Sequence, residues 1–144
     1  MSQRILILSN LLRRAAALRY RRLLRLQPGE WGVIAELGHQ APRTLNDLAR
    51  GIGLDKTQLS RTVAALIARG LVRRSPNPRD NRALRLSLSP KGKTCYATLM
   101  QAGRAANLAL LADVPAREAE QLIATLERLT QAARALLRAE QDLT

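Results

Sequence analysis

At 144 residues the chain has the length of one domain with a real core, and it leaves no room for two large ones. No segment approaches the run of about 18 apolar residues that a membrane-spanning helix requires, so an integral membrane protein is excluded as an expectation. The formal charge of +13 is concentrated: residues 1 to 88 hold 17 Lys and Arg against 5 Asp and Glu, and residues 89 to 144 hold 7 against 6. That uneven field is the footprint of a polyanion-binding surface.

Residues 3 to 26 read as a long helix with Arg4, Arg13, Arg14, Arg19, Arg21, Arg22 and Arg25 set among leucines and alanines, ending before Pro28. Its apolar start is interrupted by Ser9 and Asn10 and lacks a small-residue cleavage site, so it does not read as a secretion signal. An Arg-rich, acid-free leader leaves a membrane-surface helix open as a minor alternative. A second helix, about 28 to 37, places Pro28 in its first turn and Trp31, Ile34 and Leu37 at core spacing, with Gly38 as its stop. Thr44 followed three residues later by Asp47 starts a third, continued by Leu45, Leu48, Ala49 and Ile52 and ended by Gly51 and Gly53.

Asp55, with Gln58 three positions on, caps a fourth helix that runs to about Arg69 and stops at Gly70. Leu59, Val63, Leu66 and Ile67 form its inward stripe. Counting about 100° per residue, the opposite face carries Thr57, Arg61, Ala64 and Ala68, flanked by Gln58, Ser60 and Ala65. After Gly70 the period changes to two. Leu71 to Arg74 and Leu84 to Leu88 read as the strands of a hairpin whose tip, residues 75 to 83, is basic and rich in proline. Ser89 and Pro90 open the next helix, in which Tyr96, Leu99, Gly103, Ala106 and Leu110 repeat at spacings of 3 and 4; past Pro115, Ala119, Leu122, Leu126, Leu129, Ala133 and Leu136 do the same. Heptad spacing in consecutive helices implies a seam that closes on the same chain or on a second copy, and a shared dimer interface is the expectation.

The fold class expected is therefore mainly α with a small β-hairpin wing (α+β): a winged helix-turn-helix lobe over 28–89, with residues 1–27 and 90–144 as flanking dimerisation helices in one continuous domain. A major groove about 12 Å wide accepts one helix whose leading residues reach base edges. In the fourth helix those are Lys56, Thr57, Gln58, Ser60 and Arg61. Gln and Arg can make bidentate contacts with adenine and guanine.

The order Leu48-Ala49, Leu54-Asp55-Lys56-Thr57, Leu59-Ser60-Arg61, Leu66, Arg69-Gly70-Leu71-Val72-Arg73-Arg74, Asp80-Asn81-Arg82 and Leu86-Ser87-Leu88-Ser89-Pro90-Lys91-Gly92 resembles the MarR family of transcriptional regulators across residues 26 to 93. The resemblance implies that the second helix of the motif enters the major groove. It further implies that Arg82 at the wing tip reaches the minor groove, with Asp80 orienting it. Arg79, Arg74 and Thr44 would be phosphate contacts. The chain departs from the family pattern at Gln27, where relatives often place a capping Ser or Thr, and at Glu30, where a Gln is usual.

The expected function is that of a cytoplasmic, sequence-specific regulator that binds duplex DNA as a homodimer, with repression at a pseudo-palindromic operator. The resemblance implies a small aromatic effector; with one Trp, two Tyr and no Phe, its pocket should be lined mainly by Leu, Ile and Ala. A winged-helix module for an acidic protein partner is the alternative. One cysteine and one histidine supply no nucleophile–base–orienter trio and no metal set, so no enzyme, cofactor or metal is expected. Cys95 should be buried and inert, and His39 structural or solvated.

Overall fold

The computed structural model describes residues 2–52, 55–77 and 84–142. They form α1 (Ser2–Leu24), α2 (Pro28–His39), β1 (Arg43–Thr44), α3 (Leu45–Ile52), α4 (Lys56–Ala68), β2 (Val72–Pro76), β3 (Leu84–Leu88), α5 (Pro90–Leu110) and α6 (Ala116–Asp142). Two compact units, Met1–Arg104 and Ala105–Thr144, divide the chain, and α5 crosses from one to the other. No helix among the described residues is long and apolar enough to cross a membrane.

Within the first unit, Leu26, Val33, Ile34, Leu37, Leu48, Leu59 and Leu66 are the most completely buried side chains. They come from the turn after α1, from α2, from α3 and from α4, so three short helices close on one another around a single cluster. Each fully buried leucine contributes about 1.5–3 kcal/mol relative to an exposed one. Tyr20 of α1 joins this cluster, and its ring lies 5.4 Å from that of Trp31 in a tilted arrangement.

Helix ends follow the capping chemistry in the sequence. α4 stops where Gly70 takes a φ of +70°, a left-handed conformation that costs glycine little, and the Leu71 amide then donates back to the Leu66 carbonyl. α1 ends in the same left-handed region at Arg25, φ +55°, before the proline is reached. Gly38, expected as a stop, lies inside α2 instead. A Cβ there would fall 2.2 Å from the Tyr96 ring, so glycine is present because an aromatic ring from α5 lies directly on the helix backbone.

The sheet is antiparallel with strand order β1-β3-β2. β2 pairs with β3 from Val72↔Leu88 to Pro76↔Leu84, and β1 pairs Arg43↔Leu86 and Thr44↔Arg85. The third strand, β1, is too short to leave an alternation in the sequence. Leu86 and Leu88 face the core and Leu84 is exposed, so the end of β3 next to α5 is the part anchored in the core.

The join between hairpin and α5 is tight. Ser89 Oγ donates to the Gly70 carbonyl at 2.6 Å and accepts from the Gly92 amide at 2.9 Å, while the Ser89 amide donates to the Leu71 carbonyl. A Cβ on Gly92 would sit 2.0 Å from the Leu71 carbonyl oxygen, and backbone cannot rotate aside as a side chain can. Along α5, Leu99 is buried, Tyr96 lies on Gly38 and Gly103 lies beneath the Tyr20 hydroxyl, so the first half of that heptad seam closes on its own chain. In the second unit α6 has no buried residue, and Leu122, Leu126 and Leu136 of its seam are exposed. Gly92→Ala is expected to cost about 1–3 kcal/mol through overpacking, read as a lower urea midpoint, with Ala97→Ser on the exposed face of α5 unchanged as control.

Candidate nucleic-acid interface

α4 is the centre of the site. The Asp55 carboxylate accepts from the Gln58 amide at 2.8 Å and caps the helix, so the first turn is held while its side chains are free to project. Leu59, Val63 and Leu66 are buried and Ile67 is half-buried, as the periodicity requires. The other face follows: Lys56, Thr57, Gln58, Ser60 and Arg61 are all exposed, and so are Ala64, Ala65 and Ala68. Hence five polar or cationic side chains crowd the leading half of the helix, and only methyl groups follow them.

α3 precedes α4 and packs on it through Leu48. At its start the Thr44 hydroxyl and amide both donate to Asp47 Oδ2, at 2.7 and 3.1 Å, and the Asp47 amide returns a bond to Thr44 Oγ1 at 3.2 Å. The capping pattern expected from the sequence is thus present in both directions. It also engages both donors of Thr44 within the protein, so an anion arriving there meets the other amides of the first turn before the hydroxyl.

The bonds from Thr44 are the main reason the Asp47 carboxyl lies below its ordinary value of 3.8, with Arg50 at 2.7 Å adding to the effect and slight burial opposing it.

Arg74 is exposed on β2, and its neighbour Arg73 donates through Nε to Ser87 Oγ across the strand pair. The wing-tip residues Arg79, Asp80 and Arg82 lie outside the described residues. His39 is exposed at the end of α2, and no cluster of three metal-ligating side chains occurs among the described residues. Cys95 is half-buried rather than fully buried. Burial pushes its thiol up from the ordinary value of 9.0, and nearby Arg69 only partly opposes this, so the thiolate is a minor species at neutral pH.

A cavity of about 720 Å³ opens between the end of α2, the hairpin strands and the first turns of α5. Leu37, Ala41, Pro42 and Leu88 supply its apolar wall, as a chain poor in aromatics requires, but Tyr96, Arg73 and Lys93 also line it. Nothing local in the chain marks those two cations as neighbours, because they converge only through the pairing of β2 and the entry of α5.

A capped helix with a buried stripe and a polar leading face, a preceding short helix and a following antiparallel hairpin together define a winged helix-turn-helix. The MarR family model matches residues 26–83. A probable transcriptional regulator from Pseudomonas aeruginosa is 31% identical, with 90% of this chain and 96% of that chain covered and a TM-score of 0.71. A MarR transcriptional regulator from Methanosarcina mazei Go1 is similar at a TM-score of 0.84 and 17% identity, covering 94% and 96% of the two chains. A putative MarR family regulator from Listeria monocytogenes, solved in complex with a 26mer DNA, is similar at a TM-score of 0.81 and 17% identity, covering 92% and 87%. The chain belongs to the MarR family, a family of transcriptional regulators rather than enzymes.

Because the Asp47 carboxyl is held below its ordinary value, it contributes stability that is present above 3.8 and lost as pH falls through its lowered folded-state value. Urea denaturation of Asp47→Asn is expected to show a lower midpoint at neutral pH and a shallower decline below about pH 4 than the parent chain.

Proposed function

We propose that this chain is a sequence-specific, duplex-DNA-binding repressor that acts as a homodimer. The observation that carries the reading is the outward face of α4, where Lys56, Thr57, Gln58, Ser60 and Arg61 are exposed on a capped helix, with Ala64, Ala65 and Ala68 exposed further along. Small residues let the helix axis approach a groove closely, and the leading polar residues then meet base edges. Arg74 and the tip residues Arg79 and Arg82, oriented by Asp80, would supply phosphate and minor-groove contacts, with the α3 start at Thr44 as a further phosphate contact. The Listeria relative bound to a 26mer DNA supports this mode of action.

Two further parts of the reading have physical support. Ile5, Leu6, Ile7, Leu8, Leu11 and Leu12 of α1 are exposed, and so are Leu122, Ile123, Leu126, Leu136 and Leu137 of α6. Apolar surface on that scale calls for a second copy, which makes residues 1–27 and 90–144 the dimerisation lobe and residues 28–89 the DNA-binding lobe. Two recognition helices related by a two-fold axis fit half-sites about 10–10.5 bp apart. The cavity beside Tyr96 suits a small aromatic effector, and its lining by Arg73 and Lys93 favours one carrying negative charge.

In vitro selection from a random duplex pool should return a pseudo-palindrome, and log K for that duplex should fall linearly with log salt by about 0.9 per phosphate neutralised. Gln58→Ala should relax preference at one base position per half-site by about 1–3 kcal/mol while leaving the salt slope unchanged. Selection that returns no preferred sequence, with binding abolished by modest salt, would favour an acidic protein partner instead.

A further inference from the structure

The structure gives the charge of Glu30 two tasks. Its Oε2 accepts from the Gln27 amide at 2.8 Å, the half of a capping box that runs from N3 back to the N-cap of α2. The same oxygen lies 2.9 Å from Nη1 of Arg69, and the two side chains are 10% and 35% exposed. Arg69 is the C-cap residue of α4. Its Nη2 also reaches the Leu24 carbonyl at the end of α1, at 3.4 Å, and its own carbonyl accepts from Lys91 Nζ of α5 at 3.0 Å. Polar ties from the trailing end of α4 to α1, α2 and α5 therefore meet at one residue.

Apolar packing of Leu59, Val63 and Leu66 sets the rotation of α4 about its own axis, yet such contacts are non-directional and resist tilt weakly. Hydrogen bonds are directional, and those made by a charged pair are roughly twice as strong as neutral ones. α4 is 13 residues long. At 1.5 Å per residue it spans about 20 Å, so a tilt of about 10° at Arg69 moves its leading end by about 3 Å, a full hydrogen-bond length. Flexible Lys and Arg contacts to phosphate absorb such a shift, whereas bidentate base contacts do not.

We infer that Glu30 and Arg69 are positioning residues for base readout: from behind, their ion pair sets the tilt at which α4 presents Gln58 and Arg61. The inference rests on the reading of α4 as the recognition helix. It assigns a specificity role to two residues outside the leading face of α4.

The test compares the parent chain with Glu30→Gln, Arg69→Lys and the double variant. Glu30→Gln keeps the shape and an acceptor oxygen but removes the charge; Arg69→Lys keeps the charge but removes the fork. Affinity is measured by fluorescence anisotropy for a duplex selected in vitro from a random pool and for a random duplex of equal length, alongside thermal unfolding. Each single variant is expected to lose about five- to tenfold in affinity for the selected duplex, with random-duplex affinity and salt slope unchanged, and the double variant to be no worse than the weaker single. A proportional loss on both duplexes, tracking lost folded protein, marks a merely structural pair and overturns the inference; so does an unchanged preference. Gln58→Ala measured in parallel separates the two levels. If it relaxes preference while Glu30→Gln and Arg69→Lys do not, this inference alone falls; if it too changes nothing, the reading of α4 falls with it.

Discussion

Burial of Leu59, Val63 and Leu66 against α2 and α3 is the constraint from which the rest of the molecule follows. These three side chains, spaced 4 and 3 along α4, leave a single rotation in which the helix can sit on the core. That rotation turns Thr57 and Arg61 outward with no further instruction, since a helical face opposite a buried stripe has nowhere to go but solvent. Function in this chain is therefore a by-product of core packing: the apolar residues choose the face, and the polar residues only decorate it.

The helices were legible because each carries its own punctuation. Asp55 before Gln58, Thr44 before Asp47, Ser89 before Pro90 and Gly70 after Arg69 are local signals whose chemistry acts over three or four residues, and each does so in the structure. What escaped the sequence is non-local. β1 is two residues long and exists only because β3 runs beside it. Gly38 looked like a helix stop, since nothing in the neighbouring sequence reveals that Tyr96, 58 positions later, will lie on that backbone. The exposed face of α4 was readable from periodicity alone, whereas the lining of the cavity by Arg73 and Lys93 depends on strand register and helix entry together.

Glu30 shows the same limit in another form. In the sequence it is a departure at one capping position, and its local consequence, a bond to the Gln27 amide, could be foreseen from spacing. Its link to Arg69 spans 39 residues and joins elements whose neighbourhood only the fold creates. An acidic residue close to a helix start is ordinary surface chemistry; the same residue 8% exposed and facing a guanidinium is a junction.

The tilted contact of Trp31 with Tyr20 has an optical consequence. Trp31 is the chain's only tryptophan, its indole nitrogen is buried with no hydrogen-bond partner among the described residues, and it follows Glu30 directly in α2. Its emission therefore comes from a half-buried site at the seam between α1 and α2, next to the carboxylate paired with Arg69 at the end of α4. The molecule carries a built-in lamp at its mechanical crossroads: loosening of α1 from α2 admits water to the indole and shifts its colour toward the red, with no label attached.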